Sequence, residues 1–425
     1  MQFAGILTET GEPATVTVSG SRIESVTPGL APGAFGGSDV LMAPGLFDLQ
    51  LNGYAGFDFN QGIWESADQA TDTLSRLFDH IAQSGTALLL PTVVTNSFES
   101  MTSSLRAIDA LLLAKPEYAA MAPGVHVEGP YISSEDGPRG AHPFQHIRDP
   151  DYGEFQRMQD AAGGRIRLFT LAPERHGALP FIEKLASQGI TVAIGHTGAS
   201  PEVIRDAVSA GAKMSTHLGN GAHSMLPRHP NYIWEQLACD ELYASLITDG
   251  HHLPKAVVKS LVRAKGMNRI AIVSDAVSLG GLPPGLYSNG MHEVLPGGKI
   301  VLAGTPYLAG AGHLMDVCVA NAVRFSDLTI SEAVSCSTQI PAEILGLGAS
   351  KGRLLPGYDG DLTLFRYIPT FPSPGILARR PIREDQARRT GRGRGWTISD
   401  GPLEIIATVS GGRIMYQAPG SNKEH

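Results

Sequence analysis

Short apolar runs bounded by Gly, Pro or Ser recur along the chain, and most of the stretches between them are long enough for a helix. Eight runs read as strands: GLFDLQLNG (45–53), ALLLPTVVT (87–95), GVHVEGP (124–130), RLFTLAPE (167–174), TVAIGHTG (191–198), KMSTHLGN (213–220), ASLITDG (244–250) and IAIVSDA (270–276). Between them, ESMTSSLRAIDALLLA, SPEVIRDAVSAG and LPKAVVKSLVRAKG repeat apolar residues at three- and four-residue intervals, with Ser200 and Pro254 as helix-start signals. Strands alternating with helices predict an α/β chain of parallel βαβ units, and eight of them predict closure into a TIM-like (β/α)8 barrel. The competing arrangement is an open doubly wound sheet, which no G-x-G-x-x-G after the first strand supports.

The two ends follow a different period. ATVTVSG, DLTLFRY and IIATVSGGRIMY alternate with period two, which predicts a small β-sandwich domain built from both chain ends. Residues 1–44 plus 350–425 would form it, around a barrel at 45–349.

Composition limits the alternatives. With 425 residues, 42% of them hydrophobic, the chain can bury one large core and a smaller one, which excludes a disordered or fibrous protein. The N-terminus MQFAGILTET lacks a basic segment followed by a long apolar one, and no apolar run reaches membrane-spanning length, so a cytoplasmic protein without membrane partners is expected. Cys239, Cys318 and Cys336 form no C-x-x-C and read as reduced residues. A net charge of −8 disfavours nucleic-acid partners; the locally basic stretch at 379–394 reads as a solvated linker, with anion binding or an interface as its alternative.

The third, fifth, sixth and eighth runs carry Glu128, His196, His217 and Asp275 at their ends. A barrel displays the C-terminal ends of its strands on one face, so residues distant in sequence converge there. Each histidine alone reads as a hydrogen-bonded structural residue. Together, one carboxylate oxygen and two imidazole nitrogens suit Zn²⁺ or a similar divalent ion and leave a position for water. Asp275 in IVSDA would take a proton from that water and return it to a leaving amine; the alternative is an aspartate capping the next turn.

These residues and their surroundings resemble the amidohydrolase superfamily and, within it, the N-acetylglucosamine-6-phosphate deacetylases. The similarity runs from APGLFDLQLNG through HVEGPYIS, RGAHP, AIGHTGAS, STHLGN, ITDGHH, VSDA and LAGTPYLAG to KGRLLPGYDGDLTLF, most of the chain. Many members carry His-x-His at the first strand, where this chain has Gln50-Leu51-Asn52, and its fourth strand ends without a Lys to bridge two metals. The resemblance therefore implies a single divalent ion, with Zn²⁺ expected, held by Glu128, His196 and His217, and Asp275 as general acid and base. It implies substrate contacts from His142 and from His252, the latter in competition with the adjacent His251. Asn220 and Gly221 fall where the family meets the sugar phosphate, and Arg228 falls where an arginine reaches that phosphate, often across a homodimer.

The stretch NGAHSMLPRHPNYIWEQLA departs from the usual pattern at Gly221, His223, Pro227 and Asn231. Three readings stand. The first is hydrolysis of the acetamide of N-acetylglucosamine 6-phosphate or a related N-acetylhexosamine phosphate. The second is the same chemistry on an unphosphorylated N-acetyl sugar or other N-acyl amine, and the third a non-catalytic binding protein on the same barrel.

Overall fold

The structure, a computed structural model, describes residues 1–367 and 402–421. The predicted strands form in order as Leu46–Leu51, Thr86–Val94, Val125–Glu128, Ile166–Leu171, Thr191–Ile194, Ala212–Ser215, Tyr243–Ile247 and Ile270–Val273. Each pairs in parallel with the next, giving one eight-stranded sheet in chain order. The sheet curls until its first and last strands meet. There Asp275 N–H donates to Gln50 O at 2.8 Å and Asn52 N–H to Ala276 O at 2.9 Å, so the barrel is nearly closed. At this seam Asp48 fills in for the ladder: its Oδ1 accepts from the N–H groups of Ser274 (3.1 Å) and Gln50 (3.2 Å). Burial pushes the Asp48 carboxyl up to about 7.

Alternation along the strands sorts side chains between the barrel interior and its coat. Phe47, Leu49, Leu88, Leu90, Leu168, Ala193, Met214, Ile247 and Val273 form one buried cluster of bulky residues drawn from most of the strands, the filling expected of a barrel interior. Helices cover the outside. Phe98–Ala114 starts at Ser97, whose hydroxyl accepts from Ser100 N–H at 3.2 Å, and Pro201–Ser209 starts at Ser200 as predicted, capping Val203 N–H at 3.4 Å. Lys255–Lys265 begins just after Pro254, which restricts φ but offers no side-chain cap. The sequence reading missed a three-stranded excursion between the eighth strand and helix Met315–Phe325, made of Gly285–Tyr287, His292–Val294 and Ile300–Leu302. Its strands are three residues each, too short for a period-two pattern to register.

Both chain ends meet in a separate seven-stranded sheet, ordered Arg413–Gln417, Glu404–Ser410, Leu362–Arg366, Phe35–Pro44, Gln2–Leu7, Pro13–Ser19 and Arg22–Pro28. Phe3, Val16, Val18 and Met42 from one end pack with Leu362, Leu364, Ile406 and Val409 from the other in a core of their own. The basic stretch 379–394 lies outside the described residues. Among the described residues no helix is long and apolar enough to cross a membrane, and Cys239, Cys318 and Cys336 are free thiols.

One buried hydroxyl ties this sheet to the barrel. Thr363 Oγ1 accepts from Leu46 N–H at 3.1 Å and donates to Gly85 O at 2.7 Å. Thr363→Val keeps the shape but strands both main-chain groups, at about 1–3 kcal/mol for each unsatisfied buried group. Thermal denaturation of the variant is expected to show a lower midpoint with unchanged metal content; an unchanged midpoint would refute the tie.

Candidate active site

Glu128 is the last residue of the third strand, whereas His196, His217 and Asp275 each lie two residues past the end of theirs. Those three share a backbone conformation uncommon outside glycine, with φ of 51°, 28° and 50°. Strain of about 1–3 kcal/mol at each such residue persists only where neighbours over-determine it. Here Ser245 Oγ accepts from His217 N–H at 2.7 Å, Gln50 O accepts from Asp275 N–H at 2.8 Å, and His196 O accepts from Ser133 N–H at 2.9 Å. The sharp turns aim all three side chains back over the barrel mouth.

Glu128 Oε1 lies 3.0 Å from Nε2 of His196 and 3.0 Å from Nε2 of His217, and the two nitrogens are 3.1 Å apart. All three side chains are buried. His196 Nδ1 donates to Pro138 O at 2.8 Å, which leaves its Nε2 an unprotonated acceptor facing a carboxylate oxygen. Lone pairs opposed at that range need a cation between them, and this oxygen and two nitrogens are the one His, Cys, Asp and Glu group among the described residues with metal-binding spacing. Burial alone would raise the Glu128 carboxyl, but positive charge on the side facing His196 and His217, from protons on the two imidazoles or from a cation in their place, holds it well below the usual range, in the ionised form a metal needs.

The amides of Gln50 and Asn52 explain what replaces His-x-His. Gln50 Nε2 donates to Glu128 Oε1 at 2.9 Å, and Asn52 Nδ2 donates to Asp275 Oδ1 at 2.8 Å. They orient the two carboxylates; sequence reasoning noticed them only as missing ligands. Desolvation and the nearby Glu128 charge push the Asp275 carboxyl up to about 6, suited to moving protons near neutrality.

A cavity of about 360 Å³ stands over these groups, lined also by His142, Asn220, Gly221 and His252, as expected, and by Asp58, Asn60 and residues 308–310, which the sequence reading missed. His142 lies edge-on to His196 with ring centroids 4.3 Å apart, and burial lowers its pKa to about 3, so it is neutral. His252 turns Nδ1 to Asp249 Oδ2 at 2.8 Å and lines the cavity. His251 instead contacts Gly297 O at 3.1 Å and stacks on His313, outside the lining. Arg228 is exposed on the loop after the sixth strand and does not reach the cavity of its own chain.

Residues 41–414 match the profile of the amidohydrolase family. The chain is 33% identical over 359 residues to N-acetylglucosamine-6-phosphate deacetylase of Danio rerio, covering 81% of this chain and 85% of that one. It is 32% identical over 317 residues to N-acetylgalactosamine-6-phosphate deacetylase of Escherichia coli O157:H7, covering 75% and 81%. Among solved structures it resembles N-acetyl-D-glucosamine-6-phosphate deacetylase of Mycobacterium smegmatis with a TM-score of 0.77 at 26% identity, over 97% of this chain and 99% of that one. A mutant of that enzyme in complex with N-acetyl-D-glucosamine-6-phosphate matches equally, with a TM-score of 0.77.

The geometry predicts metal content directly. Elemental analysis of the purified chain should find one divalent ion, absent from His196→Ala and His217→Ala and retained by Asp275→Asn. Retention of the ion by both histidine variants would remove these side chains from its coordination.

Proposed function

The chain belongs to the amidohydrolase family, and we propose that it hydrolyses the acetamide of N-acetylglucosamine 6-phosphate, or of a close N-acetylhexosamine phosphate, to acetate and the amino sugar phosphate. The observation that carries this reading is Asp275, held by Asn52 at the floor of the cavity beside three buried ligand atoms and tuned toward neutral pH. Glu128, His196 and His217 would hold the ion, and Zn²⁺ is the one we propose for a donor set of one carboxylate oxygen and two imidazole nitrogens. Bound there, a divalent ion supplies Lewis acidity for the acetamide carbonyl and lowers the pKa of water.

The protein's own residues complete the reaction. Asp275 takes the proton from water as its oxygen adds to the carbonyl carbon, and neutral His142 offers an N–H to the developing oxyanion. When the C–N bond breaks, Asp275 passes the proton to the departing 2-amino nitrogen, leaving acetic acid and a neutral amine, and the acid then gives its proton to solvent to become acetate. His252, fixed by Asp249, and Asn220 with Gly221 line the same cavity and would contact the sugar.

A second reading rests on a specific observation: no Lys or Arg lines the cavity of the described chain. Either the substrate carries no phosphate, or a second copy in a homodimer supplies the cation, for which the exposed Arg228 is the proposed source.

Asp275→Asn is expected to lower kcat by at least about a hundredfold, the scale of a lost general acid and base. Because Asp275 must be ionised to accept the proton, wild-type kcat/KM should fall as pH drops through its pKa, about 6 or below once a cation is bound beside it. A variant with near-normal kcat, or a flat acid limb, would reassign the proton transfer.

Arg228→Ala is expected to raise KM for the phosphorylated sugar by roughly ten- to a hundredfold, or about 1.5–3 kcal/mol for a hydrogen bond to a charged group, and to leave the free N-acetyl sugar untouched. Equal wild-type efficiency on both sugars, with no selective loss in the variant, would establish the second reading.

A further inference from the structure

The loops after the third and sixth strands flank the metal centre, and one contact outside it locks them together. Tyr232 Oη accepts from His223 N–H at 2.8 Å and stands 3.0 Å from His223 Nδ1. In the neutral ring the Tyr232 hydroxyl donates to Nδ1, because Nε2 faces a carboxylate that can only accept and therefore carries the imidazole proton as N–H. That N–H then donates to Glu135 Oε2 at 2.9 Å, across to the other loop.

The two loops touch main chain to main chain around this contact. A Cβ on Gly137 would lie 2.9 Å from His223 Cα and 3.0 Å from Ala222 O, and one on Gly221 would lie 2.8 Å from His196 Nδ1. The loop that Glu135 anchors also carries Pro138, whose carbonyl accepts from His196 Nδ1 at 2.8 Å, and His142, whose Nε2 is 3.2 Å from His196 Nε2. Both loops thus bear on one ligand, at the Nδ1 edge of its ring.

We infer that His223, Glu135 and Tyr232 form a clasp that positions His196 for the ion, acting through the loop that carries Pro138 and His142. The inference rests on the proposed metal role of His196. Partners of metal-ligating histidines change metal affinity by roughly ten- to a hundredfold when removed. Glu135 is two-thirds exposed, with 66% of its side chain accessible, so screening puts the clasp at the lower end of that range.

The test measures Zn²⁺ affinity of the full chain by chelator competition, with turnover in parallel. Glu135→Ala and His223→Ala are each expected to weaken binding about tenfold. The double variant should lose no more than either alone, because both remove one interaction. Glu135→Gln should stay close to wild type, since its amide oxygen still accepts from His223 Nε2, and Tyr232→Phe, which leaves the ring in place, should fall between. His196→Ala separates the two levels. If it loses the ion while Glu135→Ala, His223→Ala and Tyr232→Phe all bind Zn²⁺ as wild type does, the clasp is refuted and the metal site stands. If His196→Ala keeps wild-type affinity, the metal assignment fails and the clasp with it.

Discussion

Glu128 Oε1 is the atom on which four strands of the barrel converge. It accepts from Gln50 of the first strand at 2.9 Å and lies 3.0 Å from the Nε2 atoms of His196 and His217, which follow the fifth and sixth. An ionised carboxylate removed from water is tolerated only when paired and hydrogen-bonded. The surrounding structure meets that demand. The left-handed backbone at His196 and His217, the Pro138 carbonyl behind one imidazole and the Ser245 hydroxyl under the other each serve to keep two nitrogens on one oxygen.

Below this centre the barrel interior changes character by layers. Leucine, methionine and alanine fill its lower part. Next comes a polar tier in which His126 Nε2 faces Thr170 Oγ1 at 2.8 Å and Thr170 faces Thr216 Oγ1 at 2.8 Å. Burial lowers the His126 pKa to about 4, so the tier is uncharged and places no positive group in competition with a cation above it. The ionic chemistry is thereby confined to the mouth.

The barrel was legible because a buried parallel strand is a continuous apolar run and its boundaries are Gly, Pro and Ser. The convergence of Glu128, His196, His217 and Asp275 on one cavity was legible because the carboxyl ends of such runs share one face, so they needed only to be read as ends. What stayed hidden has physical reasons. The left-handed turns at the two histidines and the aspartate leave no mark in residue type, since nothing about a histidine announces φ above zero. Asn52 and Gln50 work through hydrogen bonds to residues far away in the sequence, Asp275 and Glu128. The choice between His251 and His252 depended on which one Asp249 holds, and adjacent histidines look alike until their rings are placed.

The terminal sheet joins the beginning of the chain to its end along one seam: Phe35–Pro44 is bordered by Gln2–Leu7 on one side and by Leu362–Arg366 on the other. During synthesis, which runs from the N-terminus, the first four strands therefore exist long before three of their sheet partners. In that interval the Phe35–Pro44 edge exposes unpaired N–H and C=O groups together with Val40 and Met42, the kind of edge that recruits other chains. The barrel strands pair each with its sequence neighbour, and only the seam between the first and the eighth has a comparable wait. Completion of the sheet thus waits for strands encoded far downstream, and a chain truncated after the barrel leaves Phe35–Pro44 with an open, aggregation-prone flank.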